Sequence, residues 1–140
     1  MKSLGYSQTT LAKKLGLKEG FKIRIVHSPD YYFDLFTDLP SNLEIVNDPS
    51  VKKNFIHYFA WEAKTLENEI LSLKEEIVDN GILWVSWHKK SSKIQTDVTE
   101  TLVRELALAS GLVDIKVCAV DDVWSGLKLV IPVKSRASGY

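Results

Sequence analysis

Strand-like and helix-like segments alternate along this chain as far as residue 112, and then the alternation stops. Strand-like runs are "FKIRIVHS", "LEIVN", "NFIHYFAW", "ILWVSW", "LVDIKVCAV" and "SGLKLVIPV". In the first, Ile23 and Ile25 oppose Lys22 and Arg24, the period of two that a strand requires. Between the runs lie helix-like segments, and consecutive strands separated by helices form a mainly parallel sheet through crossovers. Between Val120 and Ser125 only "DDVW" intervenes, and no helix fits before Leu127, so the last two strands pair as an antiparallel hairpin at one edge. The predicted fold class is α/β, a three-layer mainly parallel sheet of order 2-1-3-4-6-5. A flavodoxin-like order is the competitor, but it needs a parallel fifth strand after a helix.

The helical segments carry their own signals. In "SQTTLAKKLG", Leu11 and Leu15 share a face, Ser7 or Thr9 can cap the start, and Gly16 suits the stop. In "DYYFDLFTDLP", Tyr32, Leu35, Phe36 and Leu39 make a helical stripe with Asp30 as N-cap. Leu66, Ile70, Leu73 and Ile77 form a third stripe, which Asn80 and Gly81 end as a left-handed C-cap. The fourth consists of Val98, Leu102, Leu106 and Ala109, capped by Thr96 or Asp97 and stopped by Gly111. Pro132 fits an edge strand.

The chain of 140 residues is read as a single domain, residues 1–140, with an N-terminal helical arm over 1–20 and a frayed tail over 134–140. No apolar run approaches the ~18 residues of a membrane span, and the start lacks the apolar core of a signal peptide. The lone Cys118 cannot form an internal disulfide, which points to a reducing, cytoplasmic compartment. Eighteen Lys and Arg balance eighteen Asp and Glu. Such neutrality argues against non-specific nucleic-acid binding, which depends on neutralising phosphates. A basic patch at the N-terminus, with Lys13 and Lys14, reads as a solvated helix face.

"LSLKEEIVDNGILWVSW" and "GLVDIKVCAVDDVWSGLKLV" resemble, in layout, the helix–strand unit and terminal hairpin of class I methyltransferases, a Rossmann-like fold that binds S-adenosylmethionine. More closely, "GYSQTTLAKKLGLKEG", "WVSWHKKSSKIQTD" and "VCAVDDVWSGLKLV" resemble a small bacterial domain family of unknown function. The methyltransferase resemblance implies a glycine-rich turn after the first strand and an acid after the second that binds ribose hydroxyls. Here the turn is "VHSPDYY", which has no glycine, and Pro29 removes a backbone donor. Asp48 is the candidate acid, and "NDP" is equally an ordinary turn. The missing glycines predict that no cofactor is bound, with S-adenosylmethionine as the alternative.

Ligands of open parallel sheets bind beyond the carboxyl ends of the strands, near the point where strand order reverses. In the expected order that point lies between strands one and three. The residues there are His27, Ser28 and Asp30, then Trp61 and Glu62, with Trp87, His88, Lys89 and Lys90 ending strand four. The lysines suit an anionic group and Trp87 a flat one. Each also has a bland reading, since loop lysines serve solubility. Trp84 and His57 read as core, Asp121 and Asp122 as turn residues, and Cys118 as a small buried apolar residue. Three histidines and one cysteine without ligand spacing argue against a metal.

The first functional reading is therefore a non-catalytic domain that binds a small anionic ligand or a protein partner in this cleft. The second is a reduced S-adenosylmethionine-dependent methyltransferase. The third is an interaction module, a homodimer through the sheet edge or through "FIHYFAW".

Overall fold

A computed structural model describes residues 9–136 of the chain. Ser7, one of the two expected caps, lies outside that range, as do residues 137–140 of the expected tail. One six-stranded sheet runs through the molecule in the order β2-β1-β3-β4-β6-β5, as the alternation predicts. Its strands are β1 (Lys22–Val26), β2 (Glu44–Ile45), β3 (Lys53–Phe59), β4 (Ile77–His88), β5 (Val113–Ala119) and β6 (Trp124–Val130). β2, β1, β3 and β4 are parallel, while β6 runs antiparallel to both β4 and β5. β6 is thus interior, and Pro132 follows the strand instead of sitting at an edge.

Helices cover both faces. α2 (Ala63–Glu75) and α3 (Glu100–Ala109) pack Leu66, Ile70, Leu73, Val103 and Ala107 against Ile56, Tyr58, Leu83 and Val85. α1 (Leu11–Leu15) packs on the other face, with Leu15 against Ile23, Phe55 and Trp84. The buried Trp84 indole N–H donates to the Leu15 carbonyl at 2.8 Å, using an acceptor that the end of α1 leaves free. Trp84 and His57 are both fully buried, as their bland readings require. Among the described residues no helix is long and apolar enough to cross a membrane.

Local signals and long-range contacts disagree at four places. Thr10 caps α1, not Ser7 or Thr9, while Gly16 ends it in the left-handed conformation. The helix expected over 30–40 shrinks to a 3-10 turn, Tyr32–Leu35, with no side-chain cap from Asp30. Tyr32 is drawn into the core by a 3.0 Å hydrogen bond between its hydroxyl and His57 Nδ1, whereas Leu39 stays exposed. That stripe has no surface to cover for its full length.

The third correction concerns α2, which stops at Glu75; Ile77 opens β4 and Gly81 is not a left-handed cap. Glu76 is held by its carbonyl to Lys53 N–H at 2.7 Å and by its carboxylate to Lys53 Nζ at 2.7 Å and Arg24 at 2.8 Å. Those bonds turn the chain out of the helix and into register with β3. At Gly81 a Cβ would lie 3.0 Å from both Ile77 Cβ and the Val78 carbonyl, so the glycine serves close backbone approach. Last, Thr99 caps α3, where Thr96 or Asp97 was expected. Its buried face is Val103 and Ala107, and Ala109 is exposed.

Candidate functional site

Because β1, β3 and β4 are parallel, their carboxyl ends open on one edge of the sheet. Trp61, two residues beyond β3, organises that edge. Its indole N–H donates to the His27 carbonyl at 2.8 Å, tying the end of β3 to the turn after β1. Its ring meets His88 edge-on at 4.9 Å and Trp124 edge-on at 5.0 Å. His88 in turn stacks on Trp124 at 4.0 Å. The antiparallel register sets His88 opposite Trp124, which is why two residues so distant in sequence share one stack.

His27 has a φ of +58°, the left-handed conformation that a glycine adopts freely and other residues adopt at a cost of about 1–2 kcal/mol. Its ring turns toward α2, where Nε2 lies 3.2 Å from Glu69 and the ring plane meets Tyr58 edge-on at 5.3 Å. The Tyr58 hydroxyl donates to the same Glu69 oxygen at 2.5 Å. Burial first, and then Glu69, hold that phenol above the usual range. Ser28 is half-buried and Asp30 exposed in the same turn.

An open cleft of about 740 Å³ lies between the ends of β3 and β4. Trp61, Trp87, His88, Lys89 and Lys90 line it, and the loop from Lys93 to Thr99 closes its far side. The structure therefore brings together five of the residues expected from sequence, beside a real concavity. His27, Ser28 and Asp30 do not line this cleft; Trp61 stands between it and their turn. The crevice between β1 and β3, where strand order reverses, is spanned by the Trp61 indole, and the open space lies one strand further on.

Two expected residues have different surroundings. Trp87 is only 7% exposed and packs in the core beneath α2 and α3, so it offers the cleft an edge. Trp61, at 47% exposure, is the tryptophan with a free surface. Asp48 does not line the cleft. Its carboxylate accepts from Ser50 N–H at 2.9 Å and from Ser50 Oγ at 2.8 Å, an Asx turn that keeps the acid below its ordinary pKa. Its carbonyl is bound by Lys53 Nζ at 2.6 Å, at the amino end of β3.

Glu62, expected beside Trp61, also lines the cleft, and residues not anticipated as members of the site are Trp124, Lys93, Asp97 and Thr99. Lys93 was legible as part of the cationic loop "HKKSSKIQTD"; Trp124 became visible only through its register with His88. Asp97 accepts from Ala63 N–H at 2.8 Å, capping α2 from a distant loop. His88 is 4% exposed, its Nδ1 has no hydrogen-bond partner among the described residues, and burial lowers its pKa.

No protein-family model matches the sequence, and no curated protein matches it significantly. Solved structures do match. A methyltransferase from Aquifex aeolicus, described as dependent on S-adenosylmethionine, superposes with a TM-score of 0.58 at 16% identity over 87% of this chain and 88% of that one. The fold is that of the class I methyltransferases. The magnesium protoporphyrin IX methyltransferase of Synechocystis, crystallised with S-adenosylmethionine, gives 0.56 at 10% identity over 87% and 74% of the two chains. An S-adenosylmethionine-dependent methyltransferase from Clostridium acetobutylicum gives 0.52 at 6% identity over 86% and 87%.

This likeness corrects two expectations from the sequence: a domain without chemistry, and no cofactor. Both rested on the glycine-free turn. The structure qualifies that premise, since His27 takes a left-handed conformation, so the turn after β1 has a glycine-like backbone without a glycine. The residues present are compatible with the cofactor. Beside the turn stands an exposed indole face, which attracts a cation such as a sulfonium. Ser28 and Asp30 supply a hydroxyl and a carboxylate with no side-chain partner among the described residues.

Proposed function

We propose that this chain is a reduced S-adenosylmethionine-dependent methyltransferase. The observation that carries the reading is the left-handed His27 turn at the end of β1, bridged to Trp61, in a sheet with this fold. Strain of this kind persists only where surrounding contacts over-determine it, and it clusters at functional sites. When bound, the cofactor supplies an electrophilic methyl group. Ser28 and Asp30 hold its polar groups, and the Trp61 face balances its positive charge at roughly 0.5–2 kcal/mol. The adjoining cleft takes the methyl acceptor.

His88 is the residue for proton movement. Burial lowers its pKa, so the imidazole is neutral near pH 7 and Nδ1 or Nε2 can accept a proton from an acceptor group. Calorimetric titration with S-adenosylmethionine and its demethylated product tests the proposal. Dissociation constants at or below roughly 100 μM support it, and no heat of binding at ~1 mM overturns it.

A further inference from the structure

We infer that the cleft between β3 and β4 is a receptor for a small planar aromatic anion. Three lysines, Lys89, Lys90 and Lys93, line one stretch of its wall, and none forms an ion pair among the described residues. Their positions are built. Lys89 N–H donates to the Val123 carbonyl at 2.8 Å, which fixes the end of β4. A 3-10 turn, Lys90–Ser92, then carries the chain to Lys93, whose φ of +61° is a second left-handed non-glycine residue at this edge. Its N–H donates to the Lys90 carbonyl at 3.0 Å and closes that turn.

Several other polar groups of the wall are already committed. Thr99 Oγ accepts from Leu102 N–H at 3.1 Å, and Thr96 Oγ accepts from Val98 N–H at 3.1 Å. Of the two carboxylates, Asp97 is engaged by Ala63 N–H, and Glu62 makes only a 3.5 Å contact with the Thr65 hydroxyl. Against the one loosely held carboxylate of Glu62 stand three ammonium groups, beside the exposed Trp61 and the buried His88. Thr99 and Glu62 are also the N-cap residues of α3 and α2, so both helix N-termini add positive potential to the same cleft. The unpartnered Nδ1 of the buried His88 is a second, independent sign that a ligand belongs here. An exposed indole calls for a flat apolar surface, and the lysines call for a carboxylate or phosphate at its margin.

The inference leans on the methyltransferase reading only for the ligand's role as acceptor; binding itself does not need it. The test uses the full chain without cofactor and three probes: 2-naphthoate, 2-naphthyl phosphate and neutral 2-naphthol. The expected result is that at least one anion binds about tenfold tighter than 2-naphthol, equivalent to about 1.4 kcal/mol, and that added salt narrows the gap. The naphthoate-to-phosphate ratio identifies which anionic group is preferred. The double variant Lys89→Ala, Lys90→Ala should bring anion and neutral probe within about twofold while leaving the unfolding midpoint nearly unchanged. Restoring charge with Lys89→Arg, Lys90→Arg should recover the preference. Equal binding of anions and 2-naphthol, or no binding of any probe at ~1 mM, overturns the inference. Binding of naphthoate alongside a failed S-adenosylmethionine titration would leave it standing and remove the methyltransferase reading.

Discussion

Trp61 and His27 are 34 residues apart, yet the indole N–H of one donates to the carbonyl of the other at 2.8 Å. That single bond spans the reversal point of the sheet and separates the β1 turn from the open cleft. Trp61→Ala should therefore act on binding more than on stability. An exposed hydrogen bond contributes about 0.5–1.5 kcal/mol, whereas loss of the indole face should weaken S-adenosylmethionine binding about tenfold. Urea unfolding and calorimetric titration of the same preparation separate the two effects.

His57 predicts a pH dependence. Full burial lowers its pKa to about 3, against about 6.5 in the unfolded chain. Between those values the unfolded state binds more protons, so stability rises with pH and falls as the solution is acidified below about 6.5. The limiting slope is about 1.4 kcal/mol per pH unit. Urea midpoints from pH 7 to pH 5 should show it, and His57→Gln should flatten it. An unchanged slope in that variant would assign the effect to other groups, His88 first, whose pKa burial also lowers.

Gly81 tests how α2 ends. In a left-handed cap, Gly→Asn would be mild and less damaging than Gly→Ala. In the structure both side chains meet Ile77 and the Val78 carbonyl at 3.0 Å. Both substitutions should therefore cost about 1–3 kcal/mol, with Asn no better than Ala, in chemical denaturation.

Lys53 is fully buried and bonds both the Asp48 carbonyl and Glu76. Lys53→Met should destabilise by roughly 3 kcal/mol, the lower end of the range for one lost partner, because Arg24 still neutralises Glu76. Thermal unfolding of that variant measures it, and a loss below about 1 kcal/mol would mean that the pair contributes little.

The order of the strands was legible because it follows from local facts. Each strand run is short and bounded, each crossover contains an apolar stripe, and the three residues between Val120 and Trp124 cannot hold a helix. The same topology put Trp61, Trp87, His88, Lys89 and Lys90 at one edge before any contact was known. Helix ends were less legible. Thr10, Thr99 and the close of α2 were each misplaced, since neighbouring Ser, Thr, Asp and Gly residues offer equivalent local signals and a distant partner chooses among them.

By itself, then, the sequence determined the sheet order, the antiparallel hairpin and the edge that carries the polar and aromatic residues, because periodicity and segment length act within the chain. Tertiary structure alone decided that Glu76 leaves the helix for Lys53 and Arg24, that Tyr32 leaves its stripe for His57, and that Trp61 rather than Trp87 keeps a free face. Burying a charge or a hydroxyl is tolerated only with a partner, and these partners lie 23, 52 and 25 residues away in sequence. Which pairs form depends on how the strands align, and that alignment exists only once the sheet has assembled.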